Sequence, residues 1–214
     1  MANDAKVPPR QRILDVVDLL FYTEGIRATG TERIMAMAEV AKATFYHHFE
    51  SKDALVLAYL EKRDRALWDF LSHPTSLGEV LVKFEEWANR PEVIGCPFLR
   101  IASEYPDPAH PFHQLAIKHQ DKIRDYLAGL LDPSVSDKKA AAASLLSVID
   151  GALTLRMLYG TSKEVRLVSQ AEAVLKSFRW RTDRHWRERP FASMLPGRAP
   201  VWRHVLGRGS TETG

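Results

Sequence analysis

The residues with the most chemical capacity in this chain fall in one short run, Lys42-Ala43-Thr44-Phe45-Tyr46-His47-His48-Phe49. Two adjacent histidines first suggest a metal. On a helix, however, neighbours point about 100° apart, and no cysteine or second histidine at i+4 spacing completes a ligand set, so no metal site is expected here. The same rotation sorts the run into two faces. Phe45 and Phe49 fall together with His48 beside them as an aromatic anchor, while Lys42, Ala43, Thr44, Tyr46 and His47 form a front of small or hydrogen-bonding side chains. Such a front suits a nucleic acid. Lys42 can donate to guanine O6/N7 or to phosphate, Thr44 can bond a base edge or touch a thymine methyl, and Ala43 lets the backbone approach closely. Tyr46, His47 and the nearby Lys52 can donate to phosphate oxygens. Tyr46 can equally bury its ring as packing and expose only its hydroxyl.

The flanking sequence has to position this run. Ile13, Val16, Val17, Leu20 and Phe21 repeat at helical spacing up to Gly25, which predicts a first helix. Thr29 and Glu32 have the spacing of a capping box for a second helix reaching about Ala38. Residues 39–41 connect to a third helix, Lys42 to His48, and Ser51 caps a longer fourth with apolar positions Leu55, Tyr59, Leu67, Trp68 and Leu71. A short helix presented outward after a three-residue turn is the geometry of the second helix of a helix-turn-helix. Segments within 76–90, 96–105, 110–131, 138–159 and 163–178 also read as helical, and no period-2 pattern appears. The expected fold class is all-α: a three-helix DNA-binding domain, residues 1–52, joined by a long helix to a helical ligand-binding and dimerisation domain, residues 53–178.

These residues resemble the N-terminal domain of the tetracycline-repressor (TetR) family of bacterial transcriptional regulators. The resemblance rests on Gly25, Thr29, Ile34, Ala38, Lys42, Ala43, Thr44, Phe45, Tyr46, Phe49, Ser51, Lys52 and Asp53. It implies that Lys42, Ala43 and Thr44 reach bases while Thr31, Tyr46, His47 and Lys52 hold phosphates. It also implies a repressor that binds a palindromic operator as a dimer and is released by a small molecule. Two positions depart from the pattern, Glu39 where the family usually has Gly and Ala41 where it usually has Ser. If the turn needs positive φ, Glu39 costs about 1 kcal/mol there, and Ala41 forgoes a side-chain cap worth about as much.

The rest of the chain resembles the family's regulatory domain more loosely. From Ala140 to Leu158 only Asp150 and Arg156 are charged, so one face of that helix needs an outside cover, and a homodimer through residues 138–178 would supply it. Trp68, Phe84, Trp87, Phe98, Tyr105 and Phe112 can line an effector cavity or simply be core. Asp150 and Arg156 must find a ligand, each other or a neighbouring partner. Cys96 reads as a small buried residue more readily than as a sensor, and His110, His113 and His119 lack the acidic or thiol ligand that would complete a metal set.

The formal charge of +3 conceals an asymmetry: from Lys176 onward there are nine Lys/Arg against three acids, which leaves the remainder at −3. DNA binding must therefore rest on a local face. The Arg- and Trp-rich stretch 179–214 is expected to be a basic extension. One cysteine, no signal-like N-terminus and no uninterrupted apolar run of membrane-spanning length lead to the expectation of a cytoplasmic protein with no membrane partner and no cofactor. The alternative from another class is a helical enzyme or binding protein for an apolar small molecule, but no nucleophile with base and orienter, no phosphate loop and no metal set is present.

Overall fold

The computed structural model describes residues 7–178, so the expected basic extension lies outside the described residues. Nine α-helices and no strand are found among them: α1 Pro9–Thr23, α2 Thr31–Met37, α3 Lys42–His48, α4 Lys52–Phe70, α5 Leu77–Asn89, α6 Pro97–Glu104, α7 Pro111–Leu130, α8 Lys138–Tyr159 and α9 Leu167–Ser177. The chain is all-α, as its periodicity predicts.

Local chemistry explains the element ends. Pro9, Pro97 and Pro111 open α1, α6 and α7, where a missing N–H costs nothing. The Ser51, Ser76 and Asp137 side chains accept from Ala54, Glu79 and Ala140 amides at the starts of α4, α5 and α8. After α1, Gly25 takes φ +100°, and a Cβ there would lie 2.9 Å from Glu104 Oε1. The glycine is thus required both by the backbone and by a carboxylate from α6.

The capping box expected at α2 does not form. Gly30 is the residue before the helix and offers no side chain. Thr29 is fully buried and turns its hydroxyl back to donate to the Gly25 carbonyl at 2.7 Å. A spacing rule applied locally missed this because the hydroxyl's partner lies on the other side of the α1–α2 loop.

Two apolar cores share the described chain. One gathers α1 to α3 and the first half of α4, together with Phe98 and Ile101 of α6 and Phe112 and Ala116 of α7. The other is built from the end of α4, α5, the later part of α7, α8 and α9. Cys96 packs against both. Helix α8 is long and apolar enough, by length and composition alone, to cross a membrane. Its inner face instead supplies Ala141, Ala142, Leu145, Ile149, Ala152 and Leu153 to the second core. Its outer face leaves Leu155 45% and Leu158 69% exposed.

Candidate nucleic-acid interface and the cavity behind it

Helix α3 is held from behind and open in front. Phe45 is fully buried and Phe49 is 4% exposed, with ring centroids 6.4 Å apart, so the anchor face is part of the first core. Lys42, Ala43, Tyr46 and His47 are exposed, and Thr44 and His48 are half-buried. Tyr46 meets Phe45 edge-on at 5.2 Å while remaining 42% exposed, which leaves its hydroxyl free to reach outward. The rings of His47 and His48 are 5.1 Å apart and splayed by 65°. No group of three or more metal-ligating side chains occurs among the described residues.

The α2–α3 turn carries the predicted strain. Glu39 has φ +52°, the left-handed region that costs a non-glycine residue about 1 kcal/mol. Ala41 precedes α3 with no side-chain cap. Arg12 of α1 offsets part of this by donating from Nη1 to the Glu39 carbonyl at 3.2 Å, with the carboxylate 3.9 Å away. The sequence pattern gave no sign of Arg12, whose partner is 27 residues distant.

Thr31 opens α2 and Lys52 opens α4, both half-buried at the edges of this surface. Desolvation lowers the Lys52 ammonium's pKa, against the pull of Glu104 and Asp53. Lys52 lines an open cleft with Arg27, Tyr105, Pro106, Asp107 and His110. Tyr105 therefore belongs to this cleft, where it stacks edge-on with Phe112 at 5.2 Å.

Behind the cleft, α6 is tied to the end of α1. The Glu104 carboxylate accepts from the Ile26 amide at 3.1 Å and the Arg27 amide at 2.7 Å, and Arg27 Nη1 donates back to the Glu104 carbonyl at 3.0 Å. Arg100 donates to the Tyr22 and Thr23 carbonyls at 2.8 and 3.2 Å, which caps the C-terminal end of α1 with a positive charge. Tyr22 in turn donates to the Gly95 carbonyl at 2.7 Å and accepts from the Ile94 amide at 2.9 Å. The segment before α6 and α6 itself are thus tied by hydrogen bonds to the end of α1 and to the loop leading to α2. None of these three residues is marked by a sequence motif.

A small cavity of about 40 Å³ lies against that same segment. Phe84, Trp87, Phe98 and Asp150, all expected as effector contacts, line it, together with Cys96 and His119. Trp68, Phe112 and Arg156 do not line it. Trp68 donates its indole N–H to Asp64 at 3.0 Å and meets Tyr126 edge-on at 5.2 Å. Phe112 is buried in the first core. Arg156 is 3% exposed and finds neither ligand nor carboxylate. It donates to the Val93, Gly160 and Arg90 carbonyls at 3.0, 3.0 and 2.7 Å, fastening α8 to the loop before α6. A buried guanidinium can be satisfied by backbone carbonyls as well as by an acid, and here it is.

The ionisable groups around the cavity are individually accounted for. Burial pushes the Cys96 thiol up to about 11, so it stays protonated and poorly nucleophilic. The His119 ring stacks on Phe98 with centroids 3.6 Å apart and is 2.8 Å from Asp64 Oδ1 through Nδ1. Burial lowers its pKa despite that carboxylate, so the ring is neutral at neutral pH. Burial works to raise Asp64, but hydrogen bonds from Lys122 and His119 hold it below the usual aspartate value. Burial raises the Asp150 pKa, against a hydrogen bond from Gln120 Nε2 at 3.1 Å.

Known proteins are similar to this chain in sequence and fold. The family model described as "Bacterial regulatory proteins, tetR family" matches residues 13–59. The chain is 32% identical over 166 residues to the HTH-type transcriptional regulator YjdC of Escherichia coli, covering 72% of this chain and 85% of that one. It is 27% identical over 108 residues to the E. coli HTH-type transcriptional repressor NemR, covering 46% of this chain and 54% of NemR. Among solved structures, SCO4454, a TetR-family transcriptional regulator from Streptomyces coelicolor, superposes with a TM-score of 0.74 at 32% identity, over 79% of this chain and 89% of that one. These similarities set the helical-enzyme alternative aside. With an exposed α3 over a buried aromatic anchor and relatives matched along most of their length, the chain belongs to the TetR family of DNA-binding transcriptional regulators.

Proposed function

We propose that this regulator is a ligand-responsive repressor that acts in the cytoplasm, binds a palindromic operator as a homodimer and is released by a small-molecule effector. The observation that carries the reading is the open front of α3, with Lys42, Ala43, Tyr46 and His47 exposed over a fully buried Phe45. Lys42, Ala43 and Thr44 read bases in the major groove, while Thr31, Tyr46, His47 and Lys52 fix the register on phosphates. The reading head is residues 1–52, and residues 53–178 form the regulatory and dimerisation domain. Exposed Leu155, Leu158 and Tyr159 on α8 support a self-complementary dimer face formed with α9.

The effector site is the cavity lined by Phe84, Trp87, Phe98 and Asp150. At about 40 Å³ it is far smaller than the several hundred Å³ of ordinary ligand sites, so occupancy has to displace its wall. The wall that moves is the segment before α6, and the Tyr22, Arg100 and Glu104 ties carry the movement to the reading head. A coupling of about 1–3 kcal/mol would change operator affinity by roughly 5- to 150-fold. A gel shift on the protein's own promoter region, with and without candidate effectors at several salt concentrations, tests the reading. A specific complex that weakens with salt and with effector is expected, and failure to form any specific complex would overturn it.

A further inference from the structure

The charge balance of the cavity indicates what chemistry it can hold. Of its ionisable lining groups, Arg63 is already matched: Nε lies 2.7 Å from Asp18 Oδ1, and the guanidinium sits 3.9 Å above the Tyr22 ring. Tyr22 uses its hydroxyl both ways on Gly95 and Ile94. His119 is held by Asp64, and Cys96 is protonated. Asp150 differs from all of these. The one hydrogen-bond partner of its carboxylate among the described residues is the neutral Gln120 amide, and no basic side chain among those residues pairs with it. Beside it, Gln120 Oε1 is buried without a donor. A half-buried carboxylate with no basic partner among the described residues thus lies at a cavity with aromatic walls.

A buried anion without a counter-ion is costly unless something supplies the opposite charge. A positively charged donor would pair with Asp150 and lie among Phe84, Trp87 and Phe98, whose ring faces attract cations. A neutral apolar molecule would leave the Asp150 charge without a counter-ion, and an anion would face Asp150 directly. The volume is also informative: about 40 Å³ is room for roughly three water-sized groups, enough for an ammonium head but not for a long alkyl tail.

We propose that the effector is a small organic cation, a primary alkylamine in its ammonium form, held by Asp150 as counter-ion among the aromatic walls of the cavity. Its head occupies the existing space, and its apolar tail displaces the Gly95–Cys96–Pro97 segment. Because the Gly95 carbonyl accepts from Tyr22 at 2.7 Å, that displacement pulls on α1. The proposal rests on the reading of this chain as a ligand-responsive regulator, and it names the chemistry of the ligand.

Calorimetric titration of the full chain with n-butylammonium, n-butanol and butyrate tests it, since the three differ in head-group charge on similar tails. Butylammonium is expected to bind, with butanol and butyrate at least about tenfold weaker, the low end of measured couplings for close charge pairs. Asp150→Asn, which keeps the shape and the Gln120 contact, should lose at least about tenfold in butylammonium affinity with no such loss for butanol. Equal binding of butanol and butylammonium by the native chain, or no binding of any probe, would overturn the proposal without requiring the variant to fold. Operator titration of the same native protein without amine separates the two readings. Specific DNA binding without cation preference sinks the ligand assignment alone, and cation preference without DNA binding sinks the repressor reading alone.

Discussion

Removing the Glu104 carboxylate should loosen the joint between α6 and the end of α1. In Glu104→Ala the Ile26 amide, on a residue only 2% exposed, loses its acceptor at 3.1 Å, whereas the exposed Arg27 can turn its amide to water. An orphaned buried amide costs about 1–3 kcal/mol. The 3.8 Å contact with Arg100 adds little, because partly exposed ion pairs contribute about 0–1 kcal/mol. For a chain of this size, about 2 kcal/mol lowers Tm by roughly 4–8 °C. Glu104→Gln retains one acceptor and should lose roughly half as much. Differential scanning calorimetry gives the overall cost, and hydrogen exchange locates it, with the Ile26 amide exchanging about tenfold faster for each 1.4 kcal/mol lost. A Glu104→Ala protein with native Tm and unchanged exchange at residues 25–28 would refute the clamp as an energetic link.

Phe45→Ala should destabilise the chain by about 3–5 kcal/mol in denaturant titration, because it empties a fully buried aromatic site behind the reading helix. Glu39→Gly should leave thermal stability within about 1 kcal/mol of native, since relief of the left-handed strain is opposed by a more flexible unfolded chain. The same change should tighten operator binding in a gel shift by removing an acid from the turn before α3. His119 has a lowered folded pKa, so its stabilising contribution is complete above its ordinary value of about 6.5 and is lost as pH falls toward the folded value. Tm measured from pH 8 to pH 5 should therefore decline on the acid side, and His119→Gln should flatten that decline. Leu155→Glu, at a position 45% exposed on α8, should yield monomers in sedimentation; a native chain that is itself monomeric at micromolar concentration would remove the dimer from the account.

The parts of the fold legible in the sequence were those set by short-range periodicity. The bounds of α3, the Ser51 cap and the inward pair Phe45 and Phe49 follow from helical rotation and one hydroxyl. The strained turn at Glu39 was foreseeable because a non-glycine residue stood where a positive φ was needed. Arg156 and Asp150 stand out in the sequence as charges in an apolar helix, but their distant partners leave no spacing signature: the Val93 and Arg90 carbonyls for Arg156, besides Gly160 at the end of its own helix, and an amide 30 residues away for Asp150. Glu104, Arg100 and Tyr22 escaped notice because their partners are 72 to 78 residues distant and leave no spacing signature. Aromatic spacing likewise could not separate Phe98, which lines the cavity, from Phe112, which is core. Both positions face inward, and only tertiary packing decides which of them meets a void.

In the proposed interface Lys42, Ala43 and Thr44 read bases while Tyr46 and Lys52 hold the backbone. Competition binding of native, Thr44→Ala, Lys42→Ala and Lys52→Ala proteins on a set of operator variants tests it most directly. Thr44→Ala and Lys42→Ala should change which half-site is preferred, by about 1–3 kcal/mol at the bases they contact. Lys52→Ala should weaken every sequence alike and reduce the log-log salt slope by about 0.9 for each lost phosphate contact. Uniform loss across all operator variants for Thr44→Ala and Lys42→Ala would contradict their assignment as readers.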